Sequence, residues 1–251
     1  MNYIIITGAS KGLGEGIALE LLHETHHLIC VSRGKSEKLE KLASARNCPI
    51  TFISFDFGVT MDVPELGRMI FEEIPLDKAS GVYLINNAGV IHPVGRIEDC
   101  SPEEVEQHMR INLIAPMLLT SAFIKYTKGW KMEKRVINIS SGAAKNPYHG
   151  WSSYCTGKAG MDMFTRCAGT EQEDLDYPVE VMAVAPGIID TEMQTAIRAT
   201  TDEQFIHRKR FIELKETGQL VPPQVAGKHL AKLLFSPEFT NGGIIDIREK
   251  Y

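Results

Sequence analysis

The chain has 251 residues, 43% apolar and 24% charged, which supplies hydrophobic mass for one sizeable core and too little length to require several domains. A formal net charge of −5 speaks against a general nucleic-acid binder, and no run of ~18 apolar residues suits a membrane span. The five cysteines (Cys30, Cys48, Cys100, Cys155, Cys167) are odd in number and form no Cys-x-x-Cys pair, so neither a disulfide framework nor a metal site is expected. Met1-Asn2-Tyr3 runs straight into Ile4 without a basic lead or an apolar leader, so a reducing, cytoplasmic location is expected. In chain order, Ile- and Val-rich runs at 3–7, 28–32, 51–55, 82–86, 136–140, 179–184 and 244–247 read as strands covered on both faces. Helical patterns at about 13–24, 36–46, 62–74, 102–128, 152–175 and 223–235 alternate with them. The alternation predicts one α/β domain over 1–251, a doubly wound parallel sheet of about seven strands with helices on both faces. The long polar stretch 191–220, patched with aromatics, follows a strand's carboxyl end and is expected to act as a substrate lid.

The first strand feeds directly into Thr7-Gly8-Ala9-Ser10-Lys11-Gly12-Leu13-Gly14, and a helix follows. Glycines in such a turn permit positive φ and let backbone amides approach a pyrophosphate, while the helix N-terminus adds partial positive charge. The spacing is Gly-x3-Gly-x-Gly rather than the commoner Gly-x-Gly-x-x-Gly. A dinucleotide-binding Rossmann fold is the reading. Beyond the second strand comes Ser32-Arg33-Gly34-Lys35, with no acid to grip ribose hydroxyls. Ser32 can donate a hydrogen bond, and Arg33 with Lys11 can pair with a 2′-phosphate, so the expected cofactor is NADPH.

Tyr154 and Lys158 lie four apart in a helical pattern, on one face and one turn apart. An ammonium beside a phenol stabilises the phenolate and is expected to lower its pKa. Ser140 and Ser141 stand adjacent at a strand's end, and either could face that pair.

These motifs resemble, in order, those of the short-chain dehydrogenase/reductase family: the 7–14 loop, Asn86-Asn87-Ala88-Gly89, then Ser141, Tyr154 and Lys158, then Pro186-Gly187 with Thr191. The resemblance implies that Ser141 orients a substrate carbonyl, that Tyr154 protonates its oxygen, that Lys158 also binds the nicotinamide ribose, and that Asn112 holds a water leading to solvent. It further implies cofactor contacts from Gly8, Ser10, Lys11, Gly12, Leu13, Gly14, Ser32, Arg33, Asn87, Ala88, Gly89, Pro186, Gly187, Ile189 and Thr191, with Asp56 at the adenine or as a plain strand-end acid. Family members pair through the helices that correspond here to 102–128 and 152–175. A homodimer is therefore expected, helped by Ala159, Met161, Met163, Phe164 and Ala168 on the second.

The C-terminal third is similar to the sepiapterin reductase subgroup and its bacterial benzil-reducing relatives. The resemblance rests on Gly150-Trp151, Tyr154-Cys155-Thr156-Gly157-Lys158-Ala159, Ile188-Ile189-Asp190-Thr191-Glu192-Met193 and Asn241-Gly242-Gly243-Ile244-Ile245-Asp246. It implies reduction of vicinal diketones such as benzil to a hydroxyketone, and of pterins if Asp246 reaches the ring. Asp246 as a simple strand-end charge is the alternative. Tyr148, Trp151 and Met193 are expected as walls of a slot for a flat substrate. Two other readings compete: an acyl-carrier-protein ketoreductase, which the C-terminal ending disfavours, and a non-catalytic dinucleotide sensor. His23, His26 and His27 are expected as solvated residues at a helix end. The run His207-Arg208-Lys209-Arg210, between Phe205 and Phe211, is expected as a solvated helix with aromatic anchors, and Cys155 as a neighbour of the site without a base to activate it.

Overall fold

The computed structural model describes residues 1–250, with side chains as far as Arg248. The β-branched runs form β1 (Asn2–Thr7), β2 (His26–Ser32), β3 (Ile50–Ser54), β4 (Gly81–Asn86), β5 (Glu133–Ile139), β6 (Glu180–Ala185) and β7 (Ile244–Asp246). All neighbours pair in parallel, in the order β3-β2-β1-β4-β5-β6-β7. Alternate residues of each strand enter opposite cores. Ile4, Ile6, Leu28 and Cys30 pack on one face, and Tyr3, Ile5, Ile29 and Val31 on the other. This two-sided burial is why the strand sequences are nearly continuous in apolar residues.

Against the first face lie α1 (Gly12–Glu20), α2 (Glu37–Ala45) and α9 (Pro223–Leu234). The second face is covered by α3 (Val63–Glu72), α5 (Ala115–Tyr126) and α6 (Ser152–Gln172). Ser36 caps α2, its Oγ accepting from the Leu39 amide at 3.1 Å. Ser101 and Glu104 form a reciprocal capping box at the start of α4 (Pro102–Met109). Strand order reverses between β1 and β4, so their carboxyl ends diverge and open a crevice.

The structure departs from the sequence-based expectation in three places. The helix expected over 102–128 is two helices joined by a five-residue π turn, Arg110–Ile114. Pro116 has no N–H to close an α-turn onto the carbonyl of Asn112, so the helix widens there. Of the three histidines only His23 is solvated just past α1, which stops at Glu20; His26 and His27 open β2 half-buried, His26 stacking on Phe235 at 5.4 Å. On α6, Met161 and Ala168 turn inward, leaving Ala159 and Met163 exposed and Phe164 half-buried. The region 191–220 contains α7 (Glu192–Arg198) and α8 (Arg208–Glu216). Among the described residues, no helix is long and apolar enough to cross a membrane.

Candidate active site

At the crevice the chain builds a cavity of about 820 Å³, lined from the ends of β1, β2, β4, β5 and β6 and roofed by α7 and α8. The glycine loop forms its floor. Gly8 and Gly12 have φ of +68° and +58°, a conformation that disfavours a side chain. A Cβ on Gly14 would stand 2.2 Å from the Gly8 carbonyl oxygen. The loop is sewn to the end of β4 through Thr7. Its Oγ1 accepts from the amides of Asn87 (2.9 Å) and Ala88 (3.0 Å), and Asn87 Nδ2 donates to the Thr7 carbonyl at 2.9 Å. This tight backbone cradle leading into α1 fits a dinucleotide pyrophosphate.

Ser10, Lys11, Gly12, Leu13, Ser32, Arg33, Asp56, Asn87, Ala88, Gly89, Pro186, Gly187, Ile189 and Thr191 all line this cavity, together with Gly8. Gly14 lies just beneath. Two of the polar groups are otherwise engaged than the sequence suggests. The Ser32 hydroxyl donates to the Gly34 carbonyl at 2.7 Å, and Lys11 pairs across the cleft with Glu192 of α7. Arg33 is exposed at the rim. Asp56 accepts from the Gly58 amide at 2.9 Å, holding the turn after β3.

β5 delivers Ser140 and Ser141, and the two diverge. Ser140 is buried and donates to Asp162 of α6 at 2.5 Å. Ser141 accepts from the Ala143 amide at 3.2 Å and lines the cavity with Tyr154. The tertiary structure thus separates two serines that the sequence leaves adjacent. Tyr154 and Lys158 sit on one face of α6, with Lys158 Nζ 5.8 Å from the phenol ring centroid. Nζ donates to the Ile139 carbonyl at 2.7 Å. Burial depresses the Lys158 pKa to about 8, against the opposing pull of Asp162. Burial also raises the Tyr154 phenol, partly countered by the Ser141 hydroxyl. The lowering expected from the ammonium does not emerge in the protein alone, where desolvating a phenolate dominates and the shift is upward.

Asn112, in the π turn, is held by three hydrogen bonds beside Gly89, which Lys158 also borders. Its Oδ1 accepts from the Val90 amide at 2.8 Å, and its Nδ2 reaches the Val90 carbonyl and His108 Nε2, each at 2.7 Å. His108 was not singled out by sequence reasoning. Its place four residues before Asn112 on one helical face was the available signal, as was that of Asp162 four residues after Lys158.

On the substrate side Tyr148, Trp151, Met193 and Asp246 reach the same cavity. Trp151 stands between Tyr154 (5.5 Å, edge-on) and the α7–α8 region, stacking on Phe205 at 4.5 Å and meeting Phe211 at 5.5 Å. Phe205 and Phe211 are buried and bracket the basic run as anchors, as the sequence suggested. Asp246 is gripped by Arg248, whose Nε and amide donate to Oδ1 (2.9 and 3.0 Å) and whose Nη2 donates to Oδ2 (2.5 Å). That hydrogen-bonded guanidinium holds the carboxyl below the usual carboxylate range. Burial raises the Cys155 thiol, so it stays protonated at neutral pH. Among the described residues, no three His, Cys, Asp or Glu side chains gather as metal ligands.

Comparison with known proteins agrees with this geometry. The short chain dehydrogenase family profile matches residues 2–202. A benzil reductase ((S)-benzoin forming) of Bacillus cereus is 47% identical over 99% of this chain and all of its own length. A sepiapterin reductase of Xenopus laevis is 32% identical, over 96% of this chain and 94% of its own. The crystal structure of the KRED1-Pglu enzyme superposes with a TM-score of 0.83 at 29% identity, covering 98% of this chain and 100% of its own. Sheet order, glycine cradle and these full-length likenesses converge: the chain belongs to the short-chain dehydrogenase/reductase family, oxidoreductases that use a nicotinamide dinucleotide.

Proposed function

We propose that this chain is an NADPH-dependent reductase of vicinal diketones, taking benzil-like substrates to hydroxyketones with Tyr154 as the proton donor. The observation that carries the proposal is the buried Tyr154 phenol, lining one cavity with Ser141 and with Lys158 Nζ 5.8 Å from its ring centroid, at the wall where cradle and slot meet. A general acid must hold its proton until the substrate arrives, and burial keeps this phenol protonated. Ser141 fixes the carbonyl oxygen, Tyr154 transfers its proton to that oxygen, and the ammonium of Lys158 offsets the phenolate left behind. Lys158 also holds the nicotinamide ribose. Asn112 supports Lys158 from the π turn. A bound NADPH supplies the hydride that reduces the carbonyl carbon. The preference for NADPH is supported by the absence of an acid after β2 and by Arg33 and Lys11 at the rim.

Two observations favour the diketone over the pterin. The relative at 47% identity carries the benzil reductase name. Arg248 also occupies both oxygens of Asp246, so a pterin amino group would have to displace a guanidinium. Trp151 and Tyr148 offer rings for an aromatic substrate, and α7 and α8 serve as its lid within a single domain. Five free cysteines suit a reducing, cytoplasmic setting. The test is turnover of benzil, sepiapterin and an acetoacetyl thioester with NADPH and with NADH. Benzil with NADPH is expected to lead, and Tyr154→Phe to abolish most turnover while NADPH binding is kept. A preference for the thioester, or normal turnover by Tyr154→Phe, refutes the proposal.

A further inference from the structure

We propose that His108 is a positioning residue for this reaction, locking the amide of Asn112 so that an acceptor oxygen faces Lys158. The inference rests on the carbonyl-reductase reading of the site. His108 is completely buried, at the last turn of α4 before the π turn. Its Nδ1 lies 2.7 Å from the His92 carbonyl, which can only accept, so Nδ1 carries the hydrogen. Nε2 is then a bare lone pair, and the group 2.7 Å away is Asn112 Nδ2, a donor. The other Nδ2 hydrogen goes to the Val90 carbonyl. Both amide hydrogens are thus consumed, and Oδ1, with one lone pair on the Val90 amide, keeps a second.

That second lone pair belongs to an oxygen that, like Lys158 Nζ, borders Gly89. A Cβ built on Gly89 would stand 3.1 Å from Asn112 Oδ1 and 4.0 Å from Lys158 Nζ, so the two atoms flank a single point beside the Gly89 backbone. An acceptor presented toward the ammonium favours its charged form, the form that offsets the phenolate of Tyr154. The titratable groups facing His108 are Lys158 and Tyr154 from α6, the latter edge-on at 6.0 Å, and His92 through its carbonyl. Protonating His108 would set Nε2–H against Nδ2–H and push the amide to turn, bringing hydrogens toward Val90 N–H and Lys158. Burial, with Lys158 adding to it, holds the imidazolium below the ordinary histidine range, which keeps the lock in place at neutral pH.

The test compares the full-length protein with His108→Gln, which retains an acceptor for Asn112 and a donor for His92, and His108→Phe, which retains neither. Loss of one such hydrogen bond at the reacting centre corresponds to roughly tenfold in kcat. His108→Phe is expected to lose about that much kcat with benzil, with KM and NADPH affinity little changed; His108→Gln is expected to recover most of it. The acid limb of the wild-type kcat profile is expected to be absent in His108→Gln. Imidazole ¹⁵N shifts of the wild-type chain, free and with NADP⁺, are expected to show the Nδ1–H tautomer. Wild-type kcat in His108→Phe, a His108→Gln as impaired as His108→Phe, or an Nε2–H tautomer overturns the proposal. Should His108→Phe fail to fold, an acid limb unchanged in His108→Gln overturns it equally. Failure of the wild type to reduce benzil refutes the diketone reading instead, and the tautomer still decides the geometry.

Discussion

Replacing Lys158 by Met removes an ammonium that α6 holds inside the protein against the Ile139 carbonyl. Burial lowers its pKa from 10.5 to about 8. The native protein therefore takes up this proton only below about 8, whereas the unfolded chain does so below about 10.5. Between those values the unfolded chain binds more protons, so stability rises with pH across that window. From pH 7 to pH 9.5 the gain from this one group is about 2 kcal/mol, at ~1.4 kcal/mol per pH unit of difference in proton binding. For a chain of this length that is a rise of about 4–8 °C in thermal midpoint. At pH 7 the lost penalty and the lost charged hydrogen bond are of similar size, ~3 against ~1.5–3 kcal/mol, so the pH difference carries the information. Other groups also titrate in this range, and the buried Cys30 thiol is pushed up to about 12. They do so in both proteins, so their contribution cancels in the comparison. Thermal or urea unfolding of wild type and Lys158→Met at the two pH values is the assay. The wild-type advantage is expected to grow by about 2 kcal/mol on going to pH 9.5, while Lys158→Met is inactive throughout. An advantage that stays constant shows that Lys158 keeps an ordinary pKa and refutes the burial argument.

Three further outcomes are expected. Ser32→Asp with Arg33→Ala weakens NADPH binding far more than NADH binding, by fluorescence titration, since a repulsive charge replaces a phosphate partner; equal use of both cofactors by the wild type contradicts the role of Arg33. Asp246→Asn leaves benzil turnover within about twofold and harms sepiapterin turnover more, because only the pterin offers N–H donors to that carboxylate. Light scattering at micromolar concentration gives a homodimer, with Met117 and Leu118 of α5 and Met163 of α6 as exposed apolar surface for it; a monomer removes that proposal.

Much of the fold was legible because parallel strands buried on both faces announce themselves as Ile/Val runs, and the glycine loop joins the first of them to a helix. The π turn was not, since the apolar periodicity of 102–128 continues through the break and only Pro116 marks it. The tyrosine–lysine pair could be read from its spacing, but the sign of the Tyr154 shift depends on burial, a property of the assembled core. The partners that redirect charges come from far along the chain or from a local turn. Lys11 meets Glu192 across 181 positions, and Arg248 folds back on Asp246 through a turn that strand periodicity does not reveal. His108 escaped notice because a lone histidine on a helix is usually read as a packing residue, and its partner lies in a distorted turn.

The crevice between β1 and β4 also bears on how the protein comes into being. Its walls are gathered from Gly8 at one end of the chain to Arg248 at the other, through seven strands that pair in parallel and at long range. Non-local pairing of this kind is slow to form. During synthesis the glycine loop emerges well before β6 and the α7–α8 segment, and a nucleotide can be enclosed only once they have left the ribosome. A nucleotide that binds the finished cleft and no earlier species pulls the population toward the native state by mass action. A nicotinamide dinucleotide thereby acts on this chain as a folding ligand as well as a reagent.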